Sequence, residues 1–492
     1  MTIDTLEPHP LVRLLGKPSS DFTSEDLVQA VDQLKLSQVN LRYVGGDGRL
    51  KTLAFPVNSR DHLLEVLTRG ERVDGSSVFA GTDTASSDVY IVPRHRTAFL
   101  NPFGERESLD ILCSFYDESG KPLPHAREQI VRRAAEALTR ETGMTLEAFG
   151  ELEYYLVDEP ERIYPVEEER GYQESGPFSK GQRVREQVLG HLCAMGVRLK
   201  YAHGEVGNIL EDDRQLVQHE IELQPAPVEQ AADNLVLAKW VVREVAHAHG
   251  VEATFAPLVS GEGAGNGLHI HSRLVRDGRS VIVDEDGLND TGRELIAGYL
   301  SAASALTAFG NTVPTSYLRF SDGDESPEDI CWGMRDRTGL VRVPLAWSGN
   351  ILTDMVAHAN PGGTGTIVEP ATHPQTVELR LGDGSADVHL LLAGMAVAAT
   401  RGLTDPDSLQ LAERLSTADH EDFDQLPASC AESADALEAA RGMFEADDVF
   451  PATLIDSLLT DLRDINERTL DEGTAEDGTT REELIRRHWH VG

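Results

Sequence analysis

Four segments of this chain alternate polar and apolar residues with a period of two, and their polar positions are carboxylates, imidazoles and an arginine: FGELEYYLV, HEIELQP, GLHIHSRL and TVELRLG. Side chains at i and i+2 share one face of a strand. Glu151 therefore faces with Glu153, Glu220 with Glu222, His269 with His271, and Glu378 with Arg380. A solvated strand face would mix lysine, threonine, serine and glutamate. Carboxylates converging on one site instead repel unless cations neutralise them. Hard divalent ions take oxygen ligands with occasional imidazole, so magnesium or manganese is the expected cofactor. One Glu-x-Glu alone reads as a solvated strand; four such pairs in one chain do not.

The rest of the chain supplies the frame. Residues 1–22 read as a loose arm. From Thr23, SEDLVQAVDQLK has a capped start and helical apolar spacing. Two alternating runs then flank Gly45-Gly46-Asp47-Gly48, a hairpin signal. A helix-like SRDHLLEVLTRG and the strand-like VYIVP complete a small α+β unit ending near Tyr116. Pro122 and Pro124 mark a boundary, after which AREQIVRRAAEALTRETG is an amphipathic helix. The segment LDEGTAEDGTT reads as a polar loop before a last helix, REELIRRHWH. No internal repeat is present.

Charge narrows the function classes. Asp+Glu 83 against Lys+Arg 44 gives −39 at pH 7, which disfavours nucleic acid and anionic lipid as partners. The cysteines, Cys113, Cys193, Cys331 and Cys430, form no CxxC and read as reduced thiols. The N-terminus lacks an apolar signal-peptide core, and the longest apolar stretch, His389 to Thr400, is too short to span a bilayer. A cytoplasmic protein is the expectation. The glycine run GEGAGNG is followed by a strand pattern and no Lys-Ser/Thr, so it is neither a P-loop nor a dinucleotide fingerprint.

Taken in order, the blocks VDGSS, GELEYYL, HGEV with QHEIEL, GNGLHIH, NTVPTSYLR, MRDRTGLVRVP and VELRLGDGSA resemble those of the glutamine synthetase family over residues 24 to 400. The resemblance implies an α+β chain: a β-grasp domain over 23–118, then a catalytic domain over 119–492 with a curved antiparallel sheet flanked by helices. It implies double-ring assemblies, most often dodecamers, in which the β-grasp domain of one subunit completes its neighbour's site. One metal would be held by Glu153, Glu205 and Glu220, the other by Glu151, His269 and Glu378. Glutamate, ATP and ammonia or a small amine would be the substrates. Asp74, with Ser77, Tyr172 and Glu205, would form the ammonium pocket. Gly265 and Arg319 would hold glutamate, His271 and Arg335 the nucleotide, Arg335 and Arg380 the transferring phosphate, and Glu325 would close over the intermediate. Each has a plainer reading: Asp74 as a turn residue, Arg319 as a surface arginine, His271 as a core histidine bonded to backbone.

Several positions depart from the family pattern. Ala256-Pro257-Leu258 stands where Lys-Pro is usual, and Ala264 replaces the asparagine before the loop's glycine. His203-Gly204-Glu205 replaces His-His-Glu, and Lys200 stands where a nucleotide-side glutamate is usual. An acidic insertion, GNILEDDRQLVQ, lies between Glu205 and Glu220 and is expected as a loop near the nucleophile's entrance. These changes keep two alternatives open: a ligase that uses an organic amine, and a silent assembly protein of the same fold.

Overall fold

The computed structural model describes residues 4–79, 87–211, 213–261, 263–285, 287–322, 327–347, 349–363, 372–418, 422–465 and 480–492. Its N-terminal sheet runs in the order Leu50–Pro56, Gln38–Val44, Ser108–Tyr116, Asp88–Pro93, Glu71–Asp74. Gln38–Val44 and Ser108–Tyr116 are parallel while the other neighbours are antiparallel, giving the mixed sheet of a β-grasp unit. Helix Ser24–Leu34 starts in a capping box between Thr23 and Asp26, and Arg60–Arg69 starts at a Ser59 cap. Their apolar stripes, Leu27, Val28 and Val31 on one and Leu63, Val66 and Leu67 on the other, join one core with Leu41, Ile91 and Ile111 of the sheet.

The expected loose arm is a correction. PLVRLL forms helix Pro10–Leu15, whose Leu11 and Val12 enter that same core, and His9 Nε2 lies 3.1 Å from the Ala98 carbonyl. A six-residue stretch offers too few turns for its apolar face to show in the sequence.

The larger sheet runs Trp332–Met334, Val341–Val343, Val377–Asp383, Gly267–Arg276, Thr145–Asp158, Gln215–Leu223, Leu199–Leu210. The four period-two segments are four adjacent strands at its centre, all antiparallel. Their apolar alternates, among them Leu152, Tyr154, Ile270 and Leu379, face a core built with helices Val228–Ala248, Asp290–Gly310 and Val388–Thr404. Alternation sends Glu151, Glu153, Glu220 and Glu378 to the opposite face. Two buried ion pairs tie the domains and the helical layer together: Arg94 to Asp233 at 2.6 and 2.9 Å, and Arg127 to Asp387 at 2.6 Å. Among the described residues, no helix is long and apolar enough to cross a membrane.

The acidic insertion is not a loop. Asn208, Ile209 and Leu210 pair with Val217, Leu216 and Gln215, extending Leu199–Leu210 and Gln215–Leu223 into a hairpin. The β-branched and leucine content of GNIL and QLVQ suits a half-buried ladder. Leu216 and Ile209 pack with Trp489 and Tyr155, so the hairpin is stapled to the C-terminal segment. The polar loop expected in LDEGTAEDGTT lies outside the described residues except for Thr480, which caps the helix that follows, Arg481–Arg487.

Candidate active site

Register decides which side chains meet. His269 pairs across with Glu151, and Glu153 with Glu220. One strand further out, His203 pairs with Glu220 on one side, and Glu378 sits between His271 and Arg342 on the other. The result is two groups on the open face, linked by a third. Ligand atoms of Glu151, His271 and Glu378 lie within 4.8 Å of one another, as do those of His203, Glu205 and Glu220. A third trio of the same span joins Glu151, Glu220 and Glu222.

In the first group, Glu151 bridges the two imidazoles, at 3.2 Å from His269 Nδ1 and 2.9 Å from His271 Nε2. Burial pushes the Glu151 carboxyl up, but His271 and His269 outweigh it and hold it well below the usual range. Burial lowers His271, yet the Glu151 charge outweighs that and raises it. His269 stays low because it is buried and faces Arg380. Phe149 stacks on His271 at 4.8 Å and Thr376 Oγ1 lies 2.9 Å from its Nδ1, which fixes the ring. Glu378 accepts from Arg342 Nη1 at 2.7 Å and Arg380 Nη1 at 2.8 Å.

The second group is short of positive charge. Burial, then the nearby Glu220 and Glu205, push Glu153 up to about 8. Glu220 rises to about 7, chiefly by burial and despite its contact with His203. His203 would fall on burial, but Glu220, 3.2 Å from its Nε2, lifts it to about 9. Without an added cation these carboxyls retain protons and an imidazolium fills the gap. Buried oxygen ligands, imidazole nearby and no thiolate fit a hard divalent ion.

The residues expected to hold glutamate lie next to this face. Arg319, on helix Pro314–Asp322, is buried and donates to the Gly382 carbonyl at 3.2 Å. Gly265 lies against it: a Cβ there would come within 2.5 Å of the Pro257 carbonyl and 2.8 Å of Arg319 Cγ. The loop is held by Tyr155 Oη donating to the Ala264 carbonyl at 2.8 Å and Gln218 Nε2 donating to the Gly265 carbonyl at 2.9 Å. Arg335 is exposed at the end of Trp332–Met334, with a left-handed backbone at φ 61°, a conformation uncommon outside glycine. Tyr172 packs edge-on to His203 at 5.4 Å, because Gly171 N–H and Gln173 N–H donate along the Glu205 strand to the Val206 and Gly204 carbonyls.

Asp74 and Ser77 sit in the β-grasp domain, where Asp74 accepts from Ser76 N–H at 3.0 Å and Ser77 Oγ at 2.8 Å. The hydroxyls of Ser76, Ser77 and Ser87 hold its carboxyl well below the usual range. Glu325 lies outside the described residues.

Three participants escaped the sequence reading. His203 appeared there only as a departure, and Arg342 was not singled out although VRV alternates into Glu378's neighbour. Lys200 Nζ reaches Glu222 Oε1 at 2.5 Å, so its charge is matched inside the site. The signal for His203 and Arg342 is cross-strand register, which no single segment carries, and Lys200 falls at an irregularity between Leu199 and Tyr201.

Comparison with known proteins agrees with this geometry. The family model for the glutamine synthetase catalytic domain matches residues 125–461, and that for its β-grasp domain matches 35–118. Glutamine synthetase from Thermus thermophilus is 28% identical over 394 residues, covering 78% of this chain and 80% of the relative. That from Frankia alni is 28% identical over 476 residues, covering 89% and 94%. A cryo-electron microscopy structure of Plasmodium falciparum glutamine synthetase superposes with a TM-score of 0.73 at 19% identity, covering 90% of this chain and 95% of that one. An apo structure of GmaS gives 0.69 at 19%, covering 89% and 94%. With both domain models matched in order and the fold shared across nearly its whole length, the chain belongs to the glutamine synthetase family.

Proposed function

We propose that the protein is an ATP-dependent ligase that joins the γ-carboxylate of L-glutamate to ammonia through γ-glutamyl phosphate. The observation that carries this reading is the convergence of Glu151, Glu153, Glu205, Glu220, His269 and Glu378 on one sheet face beside Arg380 and Arg319. A scaffold has no need to hold such mutually repelling groups together.

Bound magnesium or manganese, held by Glu153, Glu205 and Glu220 and by Glu151, His269 and Glu378, would offset the negative oxygens gathered for phosphoryl transfer. His203 and His271 are further donors within reach of the two groups. Arg319 grips the substrate carboxylate, while Arg335 and Arg380 neutralise the transferring phosphoryl group. A γ-carboxylate oxygen attacks the terminal phosphorus and ADP leaves. The nitrogen then attacks the acyl carbon, and phosphate departs with the C–O bonding pair. Ammonium must first be held and stripped of a proton. Asp74, kept ionised by its serines, supplies that anion from a neighbouring subunit of a dodecameric double ring, beside Tyr172 and Glu205. Glu325 covers the intermediate against water.

A second reading uses an organic amine. Tyr172 and Tyr201, 54% and 45% exposed, flank His203 with ring distances of 5.4 and 5.8 Å, an aromatic wall that an apolar substituent could meet. The test measures phosphate release with glutamate and ATP, supplying ammonia and alkyl, aryl or hydroxyalkyl amines at matched free-base concentrations. The highest specificity constant for ammonia supports the first reading. An organic amine ahead by tenfold or more replaces it with the second.

A further inference from the structure

Apart from the carboxylate face, a cavity of about 320 Å³ lies between the turn at Gly48–Leu50 of the β-grasp domain, helix Val228–Ala248 and residues 490–492. Three side-chain cations line it: Arg49, Lys239 and Arg243. Their hydrogen bonds go to neutral carbonyl oxygens. Arg49 donates to His490, Lys239 Nζ to Gly384 at 2.9 Å, and Arg243 Nη2 to Val491 at 2.7 Å. Among the described residues, none of the three is in an ion pair. The acids closest to them in sequence are engaged elsewhere: Asp47 with Lys51 at 2.8 Å, and Glu244 with Trp240 Nε1 at 3.0 Å.

That arrangement runs against the composition. The chain carries nearly two acidic side chains for each basic one, so a random grouping of three cations would meet a carboxylate. The groups also crowd one another. Burial and then the Arg243 charge bring Lys239 down to about 7 against the opposing pull of Asp383 and Asp387, and burial and then Arg49 bring Arg243 down to about 10. Lys239 is buried, Arg243 half-buried and Arg49 exposed, and no carboxylate among the described residues forms an ion pair with any of them, so an anion that enters between them relieves their mutual repulsion. Trp240, over which Arg42 stacks at 4.4 Å, makes a rigid aromatic wall.

We propose that this cavity binds a small multivalent anion bearing phosphate or carboxylate groups, bridging the β-grasp turn through Arg49 to the catalytic domain through Lys239 and Arg243. The space corresponds to roughly ten waters of liquid volume, enough for pyrophosphate or a tricarboxylate. Guanidinium groups pair with such oxygens in a bidentate manner, and three cations discriminate against a single negative charge.

The experiment uses the full chain with EDTA, with pyrophosphate and citrate as probes and acetate as the monovalent control. Calorimetry should give one saturable site per chain for a multivalent probe, with a matching rise in Tm, and no saturation with acetate. Arg49→Gln with Arg243→Gln should weaken binding by roughly tenfold or more, as expected for lost charge-assisted bonds. Arg335→Gln, which alters the proposed nucleotide side, should leave it unchanged. Arg49 is exposed at the rim, so Arg49→Gln alone keeps the fold and should still cost about threefold. If pyrophosphate alone binds at the cavity, the ligand class is phosphate; if citrate alone, polycarboxylate. The proposal is overturned by absence of saturable binding, or by binding that survives the arginine substitutions and is lost in Arg335→Gln.

Discussion

Replacing Glu153 with glutamine should stabilise the metal-free protein while destroying its response to metal. Glu153 is buried, its Oε2 accepts from Gly267 N–H at 2.7 Å and Gln218 Nε2 at 3.2 Å, and burial with Glu220 and Glu205 raises it from 4.5 to about 8. A glutamine Oε1 can accept both bonds without the charge. Between pH 4.5 and 8 the native carboxyl keeps a proton that the unfolded chain releases, so stability falls as pH rises through that window and levels off above it. The gap of 3.5 units, at about 1.36 kcal/mol each, sets an upper limit of about 5 kcal/mol on the loss. Below pH 4.5 both states are protonated and the term vanishes. Denaturant midpoints with EDTA at pH 5 and pH 8.5 should therefore differ more in the wild type than in Glu153→Gln, with the variant the more stable at pH 8.5. Glu151 and Glu378, whose shifts run the other way, are common to both proteins and cancel to first order in the comparison. Adding magnesium or manganese should restore the wild type at pH 8.5 and leave the variant unmoved. Equal pH dependence in the two proteins would refute the idea that uncompensated carboxylates crowd this face.

Glu151→Ala and Glu378→Ala should each lower phosphate release by about a hundredfold or more, as loss of electrostatic stabilisation at a transferring group does; near-normal turnover in both sinks the metal assignment. Inactive Asp74→Ala and Glu378→Ala chains, mixed and reassembled, should recover some activity because each supplies what the other lacks; a fully active monomer by light scattering would contradict the shared site. Trp489→Ala should cost about 3–5 kcal/mol, the range for emptying a large buried aromatic, since Trp489 packs with Tyr155 and Leu216 and its Nε1 donates to Glu252 at 2.7 Å. An unchanged denaturant midpoint would mean that the C-terminal segment does not hold the hairpin.

Much of the site was legible because its information is local. A period of two names the residues sharing a strand face, and Glu151, Glu220, His269 and Glu378 all obey it. Which strand lies beside which is not local. His203 meets Glu220 through a hairpin whose register shifts between Gly204 and Asn208, and Arg342 meets Glu378 across two strands separated by a helix. No count along either segment predicts those pairings. The insertion was misread for a related reason: its acids Glu211 and Asp213 lie beyond the last ladder pair, while its alternating flanks were long enough to form a ladder. Arg214 binds Glu211 at 2.5 Å, so part of the tip's charge is neutralised locally.

The charge balance across the sheet explains why the middle of the site needs added cations and its edges do not. Six carboxylates face the open side: Glu151, Glu153, Glu205, Glu220, Glu222 and Glu378. At one edge Lys200 matches Glu222. At the other, Arg342 and Arg380 both bind Glu378, leaving one positive charge in excess where phosphoryl oxygens would arrive. Four carboxylates remain between them, Glu151, Glu153, Glu205 and Glu220, and four negative charges are what two divalent ions cancel. The raised pKa values fall on Glu153 and Glu220, in that middle set and on the side away from Arg342 and Arg380. A protonated His203 compensates part of that side, which makes it a competitor for the same oxygens. Cation binding there must displace His203's proton together with those on Glu153 and Glu220, so metal affinity should climb with pH until all three are released.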